Sequence, residues 1–287
     1  MSFSAPARAA VIGGGTMGAG IAHVLLAAGT RVTVVEADAD RCAAARNTVT
    51  TSLLKAEERG KLPAGVDAEA CARLMDTADD LSLLSPETEL IVEAVPERVD
   101  LKRQVFAAAA AACPRAVLAS NTSSLSIAAI AAGPAAERTL GMHFFNPVPA
   151  QQLVELVTHA GLAESCLTQA KDWAEALGKT VIVVRDSPGF ATSRLGVAVG
   201  LEAIRMLAEG VASAEDIDTG MTLGYRWPMG PLKLTDLVGL DVRLAIAEHL
   251  AAELGPRFEP PRLLRDKVAR GELGRKTGQG FFTWPPA

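Results

Sequence analysis

One histidine and one glutamate stand out in the sequence because both lie in apolar, strand-like stretches. His143 ends a predicted strand, residues 139–143, and Glu155 lies twelve residues further on, within a second predicted strand, residues 153–157. A carboxylate among apolar neighbours is costly unless it is paired. If Glu155 meets His143, it fixes the tautomer of the imidazole and stabilises the imidazolium. The pair is then a candidate acid and base for proton transfer near neutral pH.

The alternative for any single histidine is a core residue whose ring is bonded to the backbone. For His143 the position at a strand end and the downstream glutamate favour chemistry, since ligands of open α/β sheets bind beyond the carboxyl ends of the strands. The other three histidines have no such context and are interpreted as structural or surface residues: His23, His159 and His249.

A glycine-rich turn directly follows the first predicted strand and opens the first predicted helix. Glu36 ends the next predicted strand, 18 positions beyond Gly18, which is the spacing of a dinucleotide-binding fingerprint. Glycines let the backbone approach a pyrophosphate, and the N-terminal N–H groups and dipole of the helix meet its charge. The predicted cofactor-binding residues of this region are Gly13, Gly15, Thr16, Met17, Gly18 and Glu36.

The acidic residue also indicates which dinucleotide is bound. Glu36 is placed to accept hydrogen bonds from the ribose hydroxyls of the adenosine and to repel a 2′-phosphate, so NAD is expected rather than NADP. Arg41 follows closely and could partly offset that repulsion. The remaining alternative is a glycine turn that only packs the helix on the sheet.

Together, the glycine turn and the histidine predict a redox reaction. Histidine can take the proton of a hydroxyl group while the alcohol carbon gives hydride to the nicotinamide, and its unperturbed pKa of about 6.5 suits both directions of the reaction. The sequence therefore predicts an enzyme that interconverts an alcohol and a ketone.

Strands and helices alternate up to about residue 186, which predicts a Rossmann-type, doubly wound, mostly parallel sheet with helices on both faces. Residues 47–75 read as a helical hairpin inserted into this domain. The rest of the chain has helical patterns and no convincing strand before Phe281. We expect an NAD-binding domain, residues 1–186, and an all-α domain for substrate binding and dimerisation, residues 187–287. Predicted strands cover residues 8–12, 32–35, 90–95, 116–119, 139–143, 153–157 and 180–184.

Composition excludes several other classes of function. The net charge is −5 with both signs interspersed, so there is no electrostatic footprint for nucleic acid or for a membrane surface. The four cysteines lack the spacing of a redox or zinc motif, and no metal site is predicted. No signal peptide or membrane span is recognised, and a cytoplasmic location with a small-molecule partner is expected.

Eight motifs, in order along nearly the whole chain, resemble the NAD-dependent (S)-3-hydroxyacyl-CoA dehydrogenases, and the 3-hydroxybutyryl-CoA dehydrogenases in particular. They are GGGTMGAGIA, VEAVPERVDLK, ASNTSSLSI, GMHFFNPVPAQQLVE, RDSPGF, AEDID, YRWPMGPLKLTDLVGLD and GRKTGQGFF. The resemblance implies that His143 is the proton acceptor and Glu155 its partner, which agrees with the interpretation of the residues themselves.

The resemblance also implies contacts that the pattern alone does not give. It places Ser123 near both the nicotinamide and the substrate hydroxyl, and Ser52 and Arg59 at coenzyme A, where Lys55 or Lys61 could meet the phosphates. A solvated helix face is the alternative for these basic residues. The further residues that it assigns to NAD are Glu97, Lys102, Asn121, Asn146 and Lys276.

One position departs from the family pattern. Ser193 stands in PGFATSR where the family usually has an asparagine that reaches toward the substrate. A serine hydroxyl is shorter, so a bridging water or a shifted substrate would be needed.

The expected function is therefore the NAD-dependent interconversion of a short-chain (S)-3-hydroxyacyl-CoA, such as 3-hydroxybutyryl-CoA, and the 3-ketoacyl-CoA, by a homodimer. Two alternatives stay open: a related dehydrogenase of a free hydroxy acid or sugar acid, and a non-catalytic NAD-binding protein of the same fold.

Overall fold

The computed structural model describes residues 4–131, 133 and 135–285. The chain divides between Asp186 and Ser187 into two compact units. The first unit is built on one eight-stranded sheet, and the second is helical.

Helices and strands alternate through the first unit, as the sequence pattern predicts. The sheet order is β3-β2-β1-β4-β5-β6-β7-β8, and β6 with β7 is the antiparallel pair while the other neighbours run parallel. The elements are β1 Arg8–Ile12, α1 Thr16–Ala27, β2 Arg31–Val35, α2 Ala39–Glu58, α3 Ala68–Ala72, β3 Met75–Ala78, β4 Leu90–Glu93, α4 Val99–Ala112, β5 Val117–Ser120, α5 Ile127–Ile130, β6 Thr139–Phe144, β7 Leu153–Thr158, α6 Glu164–Ala176 and β8 Thr180–Arg185.

The central strands are buried on both faces, which explains their continuous apolar runs. Helices α1, α2 and α6 cover one face, with Leu25, Val49 and Trp173 in its core. Helix α4 covers the other face through Phe106 and Ala109. This arrangement confirms the predicted doubly wound fold.

The region between β2 and β4 differs in part from the expectation. Asp38 caps α2 by accepting from Arg41 N at 2.8 Å, but the second arm of the predicted hairpin is only the five-residue α3. The strand β3 that follows was not predicted. Its sequence, MDTA, has no β-branched run, and it forms because its backbone pairs with β2 at the edge of the sheet.

The second unit consists of helices with a core of apolar side chains from several of them, such as Val197, Leu201 and Leu240. Asp218 accepts from Leu232 N and Lys233 N and thereby caps a helix. The helices are α7 Thr192–Ala208, α8 Ala214–Thr219, α9 Pro231–Val238, α10 Leu240–Leu254 and α11 Arg262–Ala269.

The final segment of the second unit is attached to α9 by one buried carboxylate. Asp236 is 1% exposed and accepts from Phe281 N at 2.8 Å, Phe282 N at 2.9 Å and Trp284 Nε1 at 2.8 Å. A Cβ at Gly280 would lie 2.2 Å from Asp236 Oδ1, so only glycine lets the segment come this close.

Candidate active site

The strongest pair of candidate catalytic groups lies where β6 ends and β7 begins. His143 is directly opposite Glu155 in the antiparallel register, and His143 Nδ1 lies 2.7 Å from Glu155 Oε2. Glu155 is fully buried and His143 nearly so, with the ring of Phe145 at 4.4 Å between centroids. Since a carboxylate only accepts, Nδ1 is the protonated nitrogen and Nε2 carries the lone pair of the neutral ring. The pair has the chemistry of a general base.

The glycine turn lies at the carboxyl end of β1, near the centre of the sheet. Gly13 has a φ of 94°, and a Cβ at Gly18 would lie 1.7 Å from Gly13 O, so the turn requires glycine at both positions. A Cβ at Gly15 would have no heavy atom within 4 Å. Helix α1 begins here with neither a side-chain cap nor an acidic residue in its first turn. Its N–H groups therefore suit an anion such as a pyrophosphate.

Glu36 lies beside this turn. Its Oε1 accepts from Gly14 N at 2.6 Å, which holds the carboxylate at the edge of the turn, where a ribose would approach. Arg41 Nε lies 3.4 Å from Asp38 Oδ2 and is thereby directed to another carboxylate. The residues present fit NAD, and the negative charge of Glu36 opposes a 2′-phosphate.

A buried ion cluster lies behind the ends of β4 and β5. Lys102 is 1% exposed, and its Nζ lies 2.6 Å from Glu93 Oε1 and 3.1 Å from Glu97 Oε2. It also donates to Val95 O at 3.2 Å. Glu93 is fully buried, and its other oxygen accepts from Ser120 Oγ at 2.7 Å. The three donors of Lys102 are thus used within the protein.

Glu97 in turn orients the segment after β5. Its Oε1 accepts from Ser123 N at 2.9 Å and from Thr122 Oγ1 at 2.8 Å. Asn121 Oδ1 accepts from Phe144 N at 2.9 Å, which ties the end of β5 to the residue after His143. These contacts bring Ser123 and Asn121 to the edge of the sheet that carries the glycine turn. Asn146 is exposed just beyond β6.

The residues predicted to bind coenzyme A line a cleft in the first unit, with a volume of about 1440 Å³. Ser52 Oγ lies 2.9 Å from His23 Nδ1. His23 therefore contacts a residue that is predicted to bind coenzyme A and is not only a core residue. Burial, with a smaller effect of the nearby Lys179 charge, lowers the pKa of His23 from 6.5 to about 4. The cleft also contains three exposed cations, Lys55, Arg59 and Lys61.

Lys179 binds the connection between β6 and β7 through two hydrogen bonds. It is 8% exposed, and its Nζ donates to Val148 O at 2.7 Å and to Gln151 O at 2.8 Å. Burial lowers its pKa. The two remaining histidines have backbone or helical surroundings: His159 Nε2 lies 3.0 Å from Thr139 O, and His249 lies within α10.

Two predicted site residues belong to the second unit. Ser193 is the second residue of α7. Lys276 forms an ion pair with Asp241 at 2.6 Å, and the hydrogen bond from Lys276 contributes to lowering the pKa of Asp241, against an opposing effect of burial.

Sequence reasoning missed Glu93 and Lys179. The sequence indicates both only weakly: each is a charged residue next to an apolar strand, where a charge is costly unless it is paired. No helix in the part of the chain that the structure describes has the length and apolarity to cross a membrane.

A doubly wound sheet that brings a dinucleotide turn and a His–Glu pair to the same edge is the arrangement of nicotinamide-dependent dehydrogenases. Comparison with known families gives the particular one. The model of the 3-hydroxyacyl-CoA dehydrogenase NAD binding domain matches residues 8–187, and that of the 3-hydroxyacyl-CoA dehydrogenase C-terminal domain matches residues 189–284. The chain belongs to the 3-hydroxyacyl-CoA dehydrogenase family, and its cofactor is NAD.

Individual relatives agree over almost their whole length. The chain is 41% identical to 3-hydroxybutyryl-CoA dehydrogenase of Mycobacterium tuberculosis, covering 96% of this chain and 98% of the relative. It is 39% identical to human mitochondrial hydroxyacyl-coenzyme A dehydrogenase, with 96% and 90% covered. Among solved structures, (S)-3-hydroxybutyryl-CoA dehydrogenase PaaH1 from Ralstonia eutropha superimposes with a TM-score of 0.91 at 36% identity, covering 98% of this chain and all of that one.

Proposed function

We propose that the protein interconverts a short-chain (S)-3-hydroxyacyl-CoA, such as 3-hydroxybutyryl-CoA, and the corresponding 3-oxoacyl-CoA with NAD. The observation that carries the proposal is the buried contact of 2.7 Å between His143 and Glu155 at the carboxyl edge of the sheet. The names of the relatives, hydroxybutyryl-CoA and hydroxyacyl-CoA dehydrogenases, give the substrate class.

The acid–base step follows from the tautomer. Nε2 of His143 accepts the proton of the 3-hydroxyl group, and Glu155 stabilises the resulting imidazolium through Nδ1. NAD held at the glycine turn would supply the acceptor for the hydride that leaves C3. In the reverse direction the imidazolium returns the proton to the oxygen. Because Glu155 is fully buried, its charge acts on the ring with little screening by water.

Positioning of the reacting groups falls to the residues after β5. The Oγ of Ser123 hydrogen-bonds to the reacting oxygen, while Glu97 holds the backbone of Ser123. Glu97 and Asn146 would hold the nicotinamide half of NAD, and Asn121 would support that edge. The ion cluster with Lys102 and Glu93 fixes Glu97.

Coenzyme A binds at the cleft with Ser52 and Arg59. Lys55 or Lys61 provides charge for its phosphates, since an ammonium group on a flexible stem suits a mobile phosphate. The support for this assignment is the presence of these residues around one cleft of about 1440 Å³.

The helical unit contributes the remaining groups. Lys276 would contact the cofactor, and Ser193 would contact the substrate directly or through a water, at the position where the family resemblance implies an asparagine. We also propose the domain roles that follow, an NAD-binding domain up to Asp186 and a helical domain for substrate and for a homodimer, in the cytoplasm.

The reaction is tested with acetoacetyl-CoA and NADH by following the near-ultraviolet absorbance of NADH. A His143→Ala variant should lose about 100- to 10,000-fold in kcat, which is the usual contribution of a general acid and base, while NADH binding, measured by fluorescence, stays intact. Equal rates in both proteins would refute the assignment of His143.

A second experiment separates the thioester from a free acid. The double variant Arg59→Ala, Lys61→Ala should raise KM for acetoacetyl-CoA and leave kcat for saturating thioester near that of the wild type. Lys171→Ala, at an exposed lysine that pairs with the half-buried Glu175, is the matched control. A wild type that reduces acetoacetate as efficiently as acetoacetyl-CoA would favour a dehydrogenase of free hydroxy acids.

A further inference from the structure

His23 is the buried partner of a residue in the cleft proposed for coenzyme A. It lies on α1 and is 4% exposed, and its Nδ1 lies 2.9 Å from the Oγ of Ser52 on α2. Ser52 is half-buried, and both residues line the cleft of about 1440 Å³. A ligand in this cleft can therefore reach the hydroxyl of Ser52 more readily than the imidazole of His23.

The neighbours of Ser52 indicate which kind of ligand group it meets. Ser52, Lys55 and Arg59 follow at spacings of three and four residues along the last turns of α2 and its C-cap, and all three line the cleft. This spacing places them on one face of the helix, with a rise of about 4.5 Å between Ser52 and Lys55. The hydroxyl of Ser52 thus lies beside two cations, and this face favours a phosphate of the coenzyme over a neutral group.

The direction of the hydroxyl decides whether it can bind a phosphate. A serine hydroxyl has one donor, and an ionised phosphate oxygen only accepts. If the O–H of Ser52 donates to the imidazole, the hydroxyl presents only lone pairs to the ligand. If the Nδ1–H of His23 donates to Ser52 Oγ instead, the O–H of the serine can donate to the phosphate.

The imidazole of His23 is neutral at the pH of the reaction, so it has one N–H and one lone pair. Burial, with a smaller effect of the Lys179 charge, lowers its pKa to about 4. Which nitrogen carries the proton is then set by the hydrogen bonds of the ring. An anion at Ser52 favours the proton on Nδ1, because the donors then run in one direction from the ring through the hydroxyl to the phosphate.

We propose that His23 is a positioning residue for coenzyme A: its Nδ1–H donates to Ser52 Oγ and directs the serine O–H to a phosphate oxygen of the coenzyme. The inference rests on the proposed function, because it takes the cleft as the coenzyme A site. His23 itself touches neither the coenzyme nor the reacting atoms. It therefore affects the binding of the thioester through Ser52 and leaves the chemical step unchanged.

The test compares acetoacetyl-CoA with acetoacetyl-pantetheine, which carries the same thioester but no phosphate. His23→Leu should raise KM for acetoacetyl-CoA by about 3- to 10-fold, the range for loss of one hydrogen bond, and leave kcat and the KM for acetoacetyl-pantetheine unchanged. His23→Gln has an amide N–H for Ser52 and should keep KM near the wild-type value. His249→Leu, at a histidine of α10, is the matched control and should leave both KM values unchanged.

A double-mutant cycle tests whether His23 acts through Ser52. Ser52→Ala should raise KM for acetoacetyl-CoA, and adding His23→Leu to it should have no further effect. Effects that multiply in the double variant would overturn the proposal. An unchanged KM in His23→Leu would also overturn it, and so would an equal loss on acetoacetyl-pantetheine, which would mean that His23 only supports the fold.

Two further measurements do not depend on turnover. Nitrogen NMR of the wild type with coenzyme A bound, with the His23 signals assigned by their loss in His23→Gln, should show the proton on Nδ1; a proton on Nε2 alone would contradict the proposal. Free coenzyme A should bind the wild type more tightly than His23→Leu in calorimetry. A wild type that binds coenzyme A in this way but does not reduce acetoacetyl-CoA would refute the proposed function and leave the role of His23 standing.

Discussion

The two units of the molecule each bury a basic side chain, but they differ in the acceptors that surround it. In the sheet unit, Lys102 is 1% exposed and is surrounded by the carboxylates of Glu93 and Glu97 and the carbonyl of Val95. In the helical unit, Arg243 is 5% exposed and has no acceptor for its Nε among the described residues. The charge of the first cation is therefore compensated within its unit. The Nε of the second is buried without a hydrogen bond among the described residues.

The His–Glu pair is the most consequential of the paired groups. Glu155→Gln keeps the shape of the carboxylate but removes the charge that stabilises the imidazolium, so kcat for acetoacetyl-CoA should fall by about 100-fold or more. Steady-state kinetics at neutral pH measure kcat of this variant against that of the wild type. A variant with wild-type kcat would mean that burial, and not pairing, determines the chemistry of His143.

The ion cluster gives the next largest effect, on stability. Glu93→Leu leaves Lys102 buried with one carboxylate fewer, and the free energy of unfolding should fall by about 3–5 kcal/mol. Urea unfolding measures the loss. The double variant Glu93→Leu, Lys102→Met removes both buried charges and should recover much of it; failure to recover would show that the pair itself is the stabilising element.

In the helical unit, replacing the buried charge should change the free energy of unfolding in the opposite direction. Arg243→Met replaces a buried cation that lacks a partner by an apolar side chain of similar length, and it should raise the free energy of unfolding by about 1 kcal/mol or more. The same urea titration, without ligand, compares the two units directly. A loss of stability in Arg243→Met would mean that Arg243, like Lys102, is a structural cation with partners.

A smaller effect concerns His23, whose folded pKa of about 4 lies below the unfolded value of 6.5. The unfolded chain then binds more protons between these values, so the contribution of His23 lowers the stability as pH falls from 6.5 toward 4 and has no effect above 6.5. His23→Gln keeps a hydrogen-bonding partner for Ser52 and should flatten this part of the pH profile. Thermal unfolding at several pH values measures the slope, and an unchanged slope would assign the acid sensitivity to other groups.

Much of the sheet unit could be predicted from sequence because its signals are local. The glycine turn, Glu36 and the apolar strands can each be recognised from a few neighbouring residues. His143 and Glu155 could be paired in advance because two strands joined by a short, proline-containing connection leave few registers.

What sequence could not give arises from contacts across the fold. The edge strand β3 has no apolar alternation of its own and depends on β2. Glu93 ends the strand LIVE and looks like a residue turning toward solvent, whereas the packing of α4 brings Lys102 onto it. The place of Arg243 depends on Gly196 and Gly200 of another helix, so no pattern within α10 indicates it.

The antiparallel pairing of β6 with β7 also restricts how the chain can change. Residues 145–152 connect the two strands, and Lys179 holds two carbonyls of this connection. Because successive side chains of a strand point to opposite faces, a slip of β7 by one residue against β6 would turn Glu155 away from the imidazole. The register of these two strands is therefore as strict a requirement for turnover as the identity of the two residues that it brings together.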